Sequence, residues 1–239
     1  MDILYLVMPA YNEEENIEKT IKDWYPVVKR HNGDGKSRLI VVNDGSTDNT
    51  LAKGRALMAD MPLFEIVDKP NSGHGPSVFY AYDYSIKAGA DWIFQTDSDG
   101  QTNPDEFETF WKLRHKYNGI FGKRVERGDG RDRAFVEKVV CFLLRIFFRV
   151  NVPDANAPFR LMKVEVLKKY LYRLDPDYNL PNIMMTTYFA FYKEKITFKE
   201  ITFKPRQGGV NSINIKKIVK IGWKALGDFR KLKKDMKRF

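Results

Sequence analysis

A doubly wound α/β fold with a mostly parallel sheet is predicted by three observations. Short apolar runs alternate with helical patterns through the first four strand-then-helix units of the chain. Each run ends in a polar, turn-forming cluster, where open α/β sheets place their ligands. At 239 residues the chain is long enough to bury such a sheet within one large domain.

The elements follow in order. Ile3–Met8 is the first strand, and Pro9-Ala10-Tyr11-Asn12 reads as a turn. Glu13–Arg30 is helical, because Ile17, Ile21, Trp24 and Val28 recur at spacings of four, three and four. Asn32-Gly33-Asp34-Gly35 breaks that helix. Leu39–Val42 is the second strand, running into Asn43-Asp44-Gly45-Ser46-Thr47-Asp48, with Asp48 placed to cap the next helix. Phe64–Val67 is the third strand, followed by the loop Asn71-Ser72-Gly73-His74-Gly75 and a helix ending near Lys87. Trp92–Phe94 is the fourth.

Composition narrows the class. One cysteine, Cys141, excludes an intrachain disulfide framework and fits a reducing compartment. Ile3–Met8 is too short for a signal peptide, and no apolar run approaches a membrane span. The net charge is +10, and most of it falls within 216–239.

The chemistry centres on Asp91–Gln101. Residues i and i+2 of an extended segment point the same way, so Asp97 and Asp99 place two carboxylates together at a strand end. Such hard oxygen ligands suit Mg²⁺ or Mn²⁺ bridging to phosphate. A solvated acidic turn accounts for the same residues. Asp44 is positioned to accept hydrogen bonds from a base or ribose, and Ser46 lies near a helix start that favours phosphate. Gly73-His74-Gly75 is no Walker loop, and no Gly-x-Gly-x-x-Gly follows the first strand.

Three ordered segments carry a resemblance: Val7-Met8-Pro9-Ala10-Tyr11-Asn12-Glu13-Glu14, Val41-Val42-Asn43-Asp44-Gly45-Ser46-Thr47-Asp48 and Asp97-Ser98-Asp99. The chain resembles glycosyltransferase family 2, inverting enzymes of the GT-A fold that use nucleotide-sugar donors. Gln101, Asp154 upstream of Phe159-Arg160-Leu161, and Arg206-Gln207-Gly208-Gly209 make it most similar to polyprenyl-phosphate glycosyltransferases such as dolichol-phosphate mannose synthase. The resemblance implies that Pro9, Ala10, Tyr11, Glu13, Asp44, Ser46, Gly73, His74, Asp97 and Ser98 line a UDP- or GDP-sugar. It implies further that Asp97, Asp99 and Gln101 hold Mg²⁺ or Mn²⁺, with Asp99 in a catalytic role. Ser98, Gly100 and Asn43 depart from the commoner Ala, Leu and Asp at those places.

The acceptor is read in the second half. Relatives that glycosylate hydroxyls carry a carboxylate base there, because the attacking proton must be removed. In this chain Leu180-Pro181-Asn182-Ile183 stands in that region, with Asp175 and Asp177 in a turn beside Pro176. A lipid phosphate is already an anion and needs no base. Arg124, Arg160, Arg206 and Ser212 are the expected phosphate contacts, with Arg160 and Arg206 also catalytic; Lys123, Arg131 and Arg133 are further basic neighbours.

Two amphipathic segments bear on location. Ala134–Val150 has thirteen apolar residues of seventeen, with Lys138, Arg145 and Arg149 on one stripe. It reads equally as a membrane-interface helix and as a core helix with a solvated basic face. Ile215–Phe239 gathers Ile215, Ile218, Val219, Ile221, Leu226, Phe229, Leu232 and Met236 on one arc, opposite its lysines, and favours an anionic membrane surface over nucleic acid.

The expectation is a GT-A domain over 1–212 and a basic amphipathic helix over 213–239. Its activity would be metal-dependent transfer from a nucleotide sugar to polyprenyl phosphate, peripheral at the cytoplasmic membrane face, in the building of cell-envelope polysaccharide. Transfer to a hydroxyl of a lipid-linked or polysaccharide acceptor, with Asp154, Asp175 or Asp177 as base, is the alternative. A non-catalytic nucleotide-sugar-binding membrane scaffold is the reading from another class.

Overall fold

The computed structural model describes residues 2–33, 35–127, 131–205, 227, 229, 232–234 and 236. The first half is four strands with three crossover helices. They are β1 (Leu4–Ala10), α1 (Ile17–Arg30), β2 (Arg38–Asp44), α2 (Thr50–Leu57), β3 (Phe64–Lys69), α3 (His74–Lys87) and β4 (Trp92–Thr96). These strands pair in parallel in the order β3-β2-β1-β4, as the alternating pattern predicts.

The turn expected at Pro9-Ala10 is instead the end of β1. Pairing of β1 with β4 stops at Val7–Gln95, while pairing with β2 continues through Pro9–Val42. A proline is tolerated where no partner needs its N–H. The helix expected from Glu13 begins at Ile17, after a turn closed by the Ile17 N–H donating to the Glu13 carbonyl at 2.8 Å.

The second half adds α4 (Phe107–Trp111), β5 (Gly119–Arg127), α5 (Arg131–Phe148), β6 (Phe159–Lys163), α6 (Val164–Leu171), α7 (Pro181–Phe191) and β7 (Ile196–Phe203). β6 runs antiparallel between β4 and β5, and β7 closes the edge parallel to β5, completing a seven-stranded sheet.

Each face of the sheet carries its own core. Leu4, Leu6 and Met8 of β1 pack with Trp24 of α1 and with Phe94, Phe107 and Phe159. Tyr5 and Val7 face the other way, onto α3, α5 and α7 through Tyr82, Leu144 and Tyr188. Burial on both faces explains why the strands read as continuous apolar runs rather than alternating ones. β1 and β4 separate at their carboxyl ends, with β2 on one side and β4 on the other. That is the topological switch point, where a doubly wound sheet offers a crevice.

Candidate active site

The aspartate loop leaves β4 and is pinned on every side. Thr96 and Thr102 close its base through their hydroxyls at 2.7 Å. Ser98 Oγ donates to the Pro9 carbonyl at 2.8 Å, filling the gap where β4 has left β1, and Thr20 Oγ1 donates to the Ser98 carbonyl at 3.1 Å. Gly100 takes a positive φ of 73°. Ser98 is buried, with its side chain turned toward β1. Gln101 is also buried, and its amide nitrogen donates to the Lys204 carbonyl at 2.8 Å, which ties the loop to the end of β7.

Asp97 and Asp99 remain as the paired carboxylates. Asp97 is pushed up to about 8 by burial first and the Asp99 charge second, with Glu13 adding and Arg124 and Arg160 opposing. Asp97 Oδ1 is buried without a hydrogen-bond partner among the described residues. A buried carboxylate oxygen left unpaired beside a second carboxylate is the environment a divalent cation relieves. These residues therefore fit a bound Mg²⁺ or Mn²⁺.

The loops after β1 and β2 are stapled to each other. Asn12, at φ 52°, donates its N–H to Ser46 Oγ at 3.0 Å and accepts the Thr47 N–H on its side chain at 2.9 Å. The Glu13 N–H donates to Thr50 Oγ1 at 2.7 Å, and the Glu14 N–H to Asp48 Oδ2 at 3.1 Å. The N-cap position of α2 falls on Asn49 rather than Asp48, whose Oδ1 instead accepts the Thr50 N–H at 2.9 Å from one residue further out. Ser46 Oγ is thus one of the acceptors of the staple. Glu13 is nearly buried and accepts from Asn16 Nδ2 at 2.7 Å, while Tyr11 stands 40 % exposed at the rim.

Asp44 is also placed differently from the expectation of an open base contact. Its carboxylate is buried, ion-paired with Lys69, and accepts the Ser72 N–H at 2.9 Å and the Gly73 N–H at 2.8 Å. Burial would raise its pKa, but these partners and Ser77 outweigh it and hold the carboxyl below its ordinary value. Asp44 therefore shapes the loop that starts α3. Gly73 enters that helix at φ 95°, and His74 follows, open to solvent. Lys69, which no motif singled out, is what makes this loop rigid.

In the acceptor half, the two described arginines expected to grip phosphate are internal. Arg160 is 1 % exposed and donates to the carbonyls of Ala157 at 2.9 Å and Asn182 at 2.9 Å, with Ala155 further out. Arg124 pairs with Asp154 at 2.8 Å and Glu137 at 3.2 Å. Both donor forks are engaged by oxygens of the chain itself. Asp154 is deprived of a base's freedom by the same contact: burial pushes its pKa up, but Arg124 and two backbone N–H groups bring it below ordinary. Asp175 and Asp177 lie in an exposed turn, where the Asp177 N–H donates to Asp175 Oδ1 at 3.0 Å. Asn182, at the start of α7, is buried with Oδ1 unpartnered among the described residues, a feature its sequence context did not signal. The expectations for Arg206 and Ser212, and for the side chains of Arg131 and Arg133, lie outside the described residues.

The sheet order, the switch-point crevice and the paired aspartates define a nucleotide-sugar-type GT-A architecture. The chain belongs to glycosyl transferase family 2, whose family model matches residues 5–171. It is a glycosyltransferase. It is 29 % identical over 189 residues to the UDP-N-acetylglucosamine–dolichyl-phosphate N-acetylglucosaminyltransferase of Methanococcus voltae, covering 70 % of this chain and 71 % of that one. It is 25 % identical over 172 residues to the polyprenol monophosphomannose synthase of Mycolicibacterium smegmatis, covering 69 % of this chain and 63 % of that one, so it spans less than two thirds of that relative. Among solved structures, glucosyl-3-phosphoglycerate synthase from Mycobacterium tuberculosis, in complex with Mn²⁺, UDP-glucose and glycerol 3-phosphate, shares the fold with a TM-score of 0.68 at 18 % identity, covering 94 % of this chain and 78 % of that one.

Proposed function

We propose that this glycosyltransferase moves a sugar from a UDP- or GDP-sugar to a polyprenyl phosphate at the cytoplasmic membrane face, with inversion. The observation that carries the donor side is the orphaned Asp97 oxygen beside Asp99 at the switch point. A divalent cation held by these two carboxylates supplies, when bound, positive charge against the donor diphosphate. Tyr11 offers an exposed ring for a base, and the start of α3 at His74 offers backbone N–H groups that suit phosphate.

The acceptor side rests on two supports. Two relatives carry dolichyl phosphate or polyprenol monophosphate in their names. The three carboxylates that a hydroxyl acceptor would call on are locked to Arg124 or held in an exposed turn. A phosphate oxygen needs no base: it attacks the anomeric carbon in line, the bond to the donor diphosphate breaks, and the electron pair leaves with the diphosphate. Asp97 and Asp99 would hold the divalent cation whose charge offsets that of the departing diphosphate, while Arg160 ties the start of α7 to the 155–157 segment through the Asn182 and Ala157 carbonyls.

The test compares undecaprenyl phosphate with undecaprenol as acceptor for a radiolabelled nucleotide sugar. Label is expected in the lipid phase with the phosphate alone. Equal labelling of the alcohol would replace this reading with a hydroxyl acceptor.

A further inference from the structure

α5 is apolar on two opposite sides. Its inner side packs Leu144 and Phe148 into the core, and Glu137 is held there by Arg124 and the Ala155 N–H. On its outer side Phe135 is 68 % exposed, Phe142 61 %, Ile146 55 % and Val139 39 %. At about 100° per residue these four fall within an arc of roughly 60°, facing away from Leu144. Lys138, Arg145 and Arg149, all exposed, run along one border of that stripe. Elsewhere on α5 Phe229 packs on Phe147 and Phe148, with ring centroids 6.0 and 5.4 Å apart.

Two side chains of the C-terminal arc are turned inward. Phe229 and Met236 are each 2 % exposed, and the Met236 carbonyl accepts from Tyr192 Oη at 2.9 Å. These two face the protein. Among the described residues, four of the large apolar side chains presented to solvent, Phe135, Val139, Phe142 and Ile146, lie together on α5.

We infer that the outer face of α5 is the surface by which the enzyme docks on an anionic lipid bilayer, with Phe135, Val139, Phe142 and Ile146 entering the interface and Lys138, Arg145 and Arg149 meeting lipid phosphates. Four aligned apolar side chains bordered by cations suit a bilayer interface, where the chains leave water and the cations stay with headgroups. A protein partner of this chemistry would need its own apolar strip and acidic border; the bilayer supplies both. The inference deepens the polyprenyl-phosphate reading by naming its partner surface. It also has a structural consequence: the Arg124–Glu137 pair ties the docked helix to β5, within the half of the sheet that carries the acceptor side.

The full chain is tested by co-sedimentation with phosphatidylcholine vesicles, with and without phosphatidylglycerol, in the absence of donor and acceptor. The parent is expected to bind the anionic vesicles. Phe135→Ser/Phe142→Ser/Ile146→Ser is expected to weaken binding by about tenfold or more, and Lys138→Glu/Arg145→Glu/Arg149→Glu to abolish the preference for phosphatidylglycerol. A Phe142→Trp chain, which keeps an aromatic at that place, is expected to shift its emission to the blue on vesicle addition and to be quenched by brominated lipid. Unchanged binding of the serine variant, or a tryptophan blind to vesicles, would overturn the inference. So would a parent dimer that the serine variant converts to monomer with vesicle binding intact, since the stripe would then join two copies. Failure of sugar transfer to polyprenyl phosphate leaves the vesicle result standing, and the converse also holds.

Discussion

Asp97 concentrates the account at the scale of a residue. Its carboxyl, pushed up to about 8 by burial and by Asp99, keeps its proton through neutral pH when nothing else occupies the site. The unfolded chain loses that proton near the ordinary carboxylate value. Folding is therefore penalised progressively as pH rises from about 4 to 8, and the penalty is constant above. A cation binds the deprotonated pair, so Mn²⁺ affinity should rise by about tenfold per pH unit below 8 and level off above it. Calorimetric titration between pH 6 and 9 checks this; a flat profile would mean that Asp97 is not a ligand. The residue types of this pair were legible because two carboxylates one residue apart, after an apolar run, are a local pattern. The contacts of Ser98, Gln101, Asp44, Arg124 and Arg160 within the fold were not, because each is made with a partner distant in sequence. Pro9, Lys204, Lys69, Asp154 and Asn182 respectively take up those side chains or their neighbours.

Among the elements, β5, α5 and α7 carry the second half, and their coupling is electrostatic. Arg124→Ala would leave Asp154 and Glu137 facing each other without a counter-charge in a buried site. The expected cost is about 3–5 kcal/mol at neutral pH. The gap from the parent should narrow as pH falls and the carboxylates take protons, which denaturant titrations at two pH values would read. The start of α3 is fixed sterically: a Cβ at Gly75 would lie 2.3 Å from the Tyr178 carbonyl oxygen and 2.7 Å from Asn179 Cα. Gly75→Ala should destabilise by about 1–3 kcal/mol, and a melting temperature equal to the parent's would show that the 178–179 segment moves aside freely. Strands β1 to β4 were legible from apolar runs, though each ran a residue or two past the expected end. β5, β6 and β7 were not assigned, because β7 mixes Lys199 and Glu200 into an edge strand and β6 is a short insertion antiparallel to its neighbours.

At the scale of the whole molecule, one sheet sorts the work. Its β1–β4 crevice presents the aspartates and the α3 start, while the β5–α5 side presents an apolar and basic outer face. No helix among the described residues is long and apolar enough to cross a membrane. Two amphipathic segments were visible in the sequence, but what their side chains pack against depends on the fold. Phe229 and Met236 of the later segment are buried against α5 and Tyr192, a contact that no helical wheel contains. The central claim is that the Asp97–Asp99 pair carries nucleotide-sugar turnover. The most direct measurement is lipid-linked sugar formed from UDP- and GDP-sugars with undecaprenyl phosphate, in Mn²⁺ or Mg²⁺ and then in chelator, for the parent and Asp99→Ala. The account predicts product with the parent and metal, and a loss of about a hundredfold or more in both the variant and the chelator. Undiminished turnover by a folded Asp99→Ala chain would contradict it.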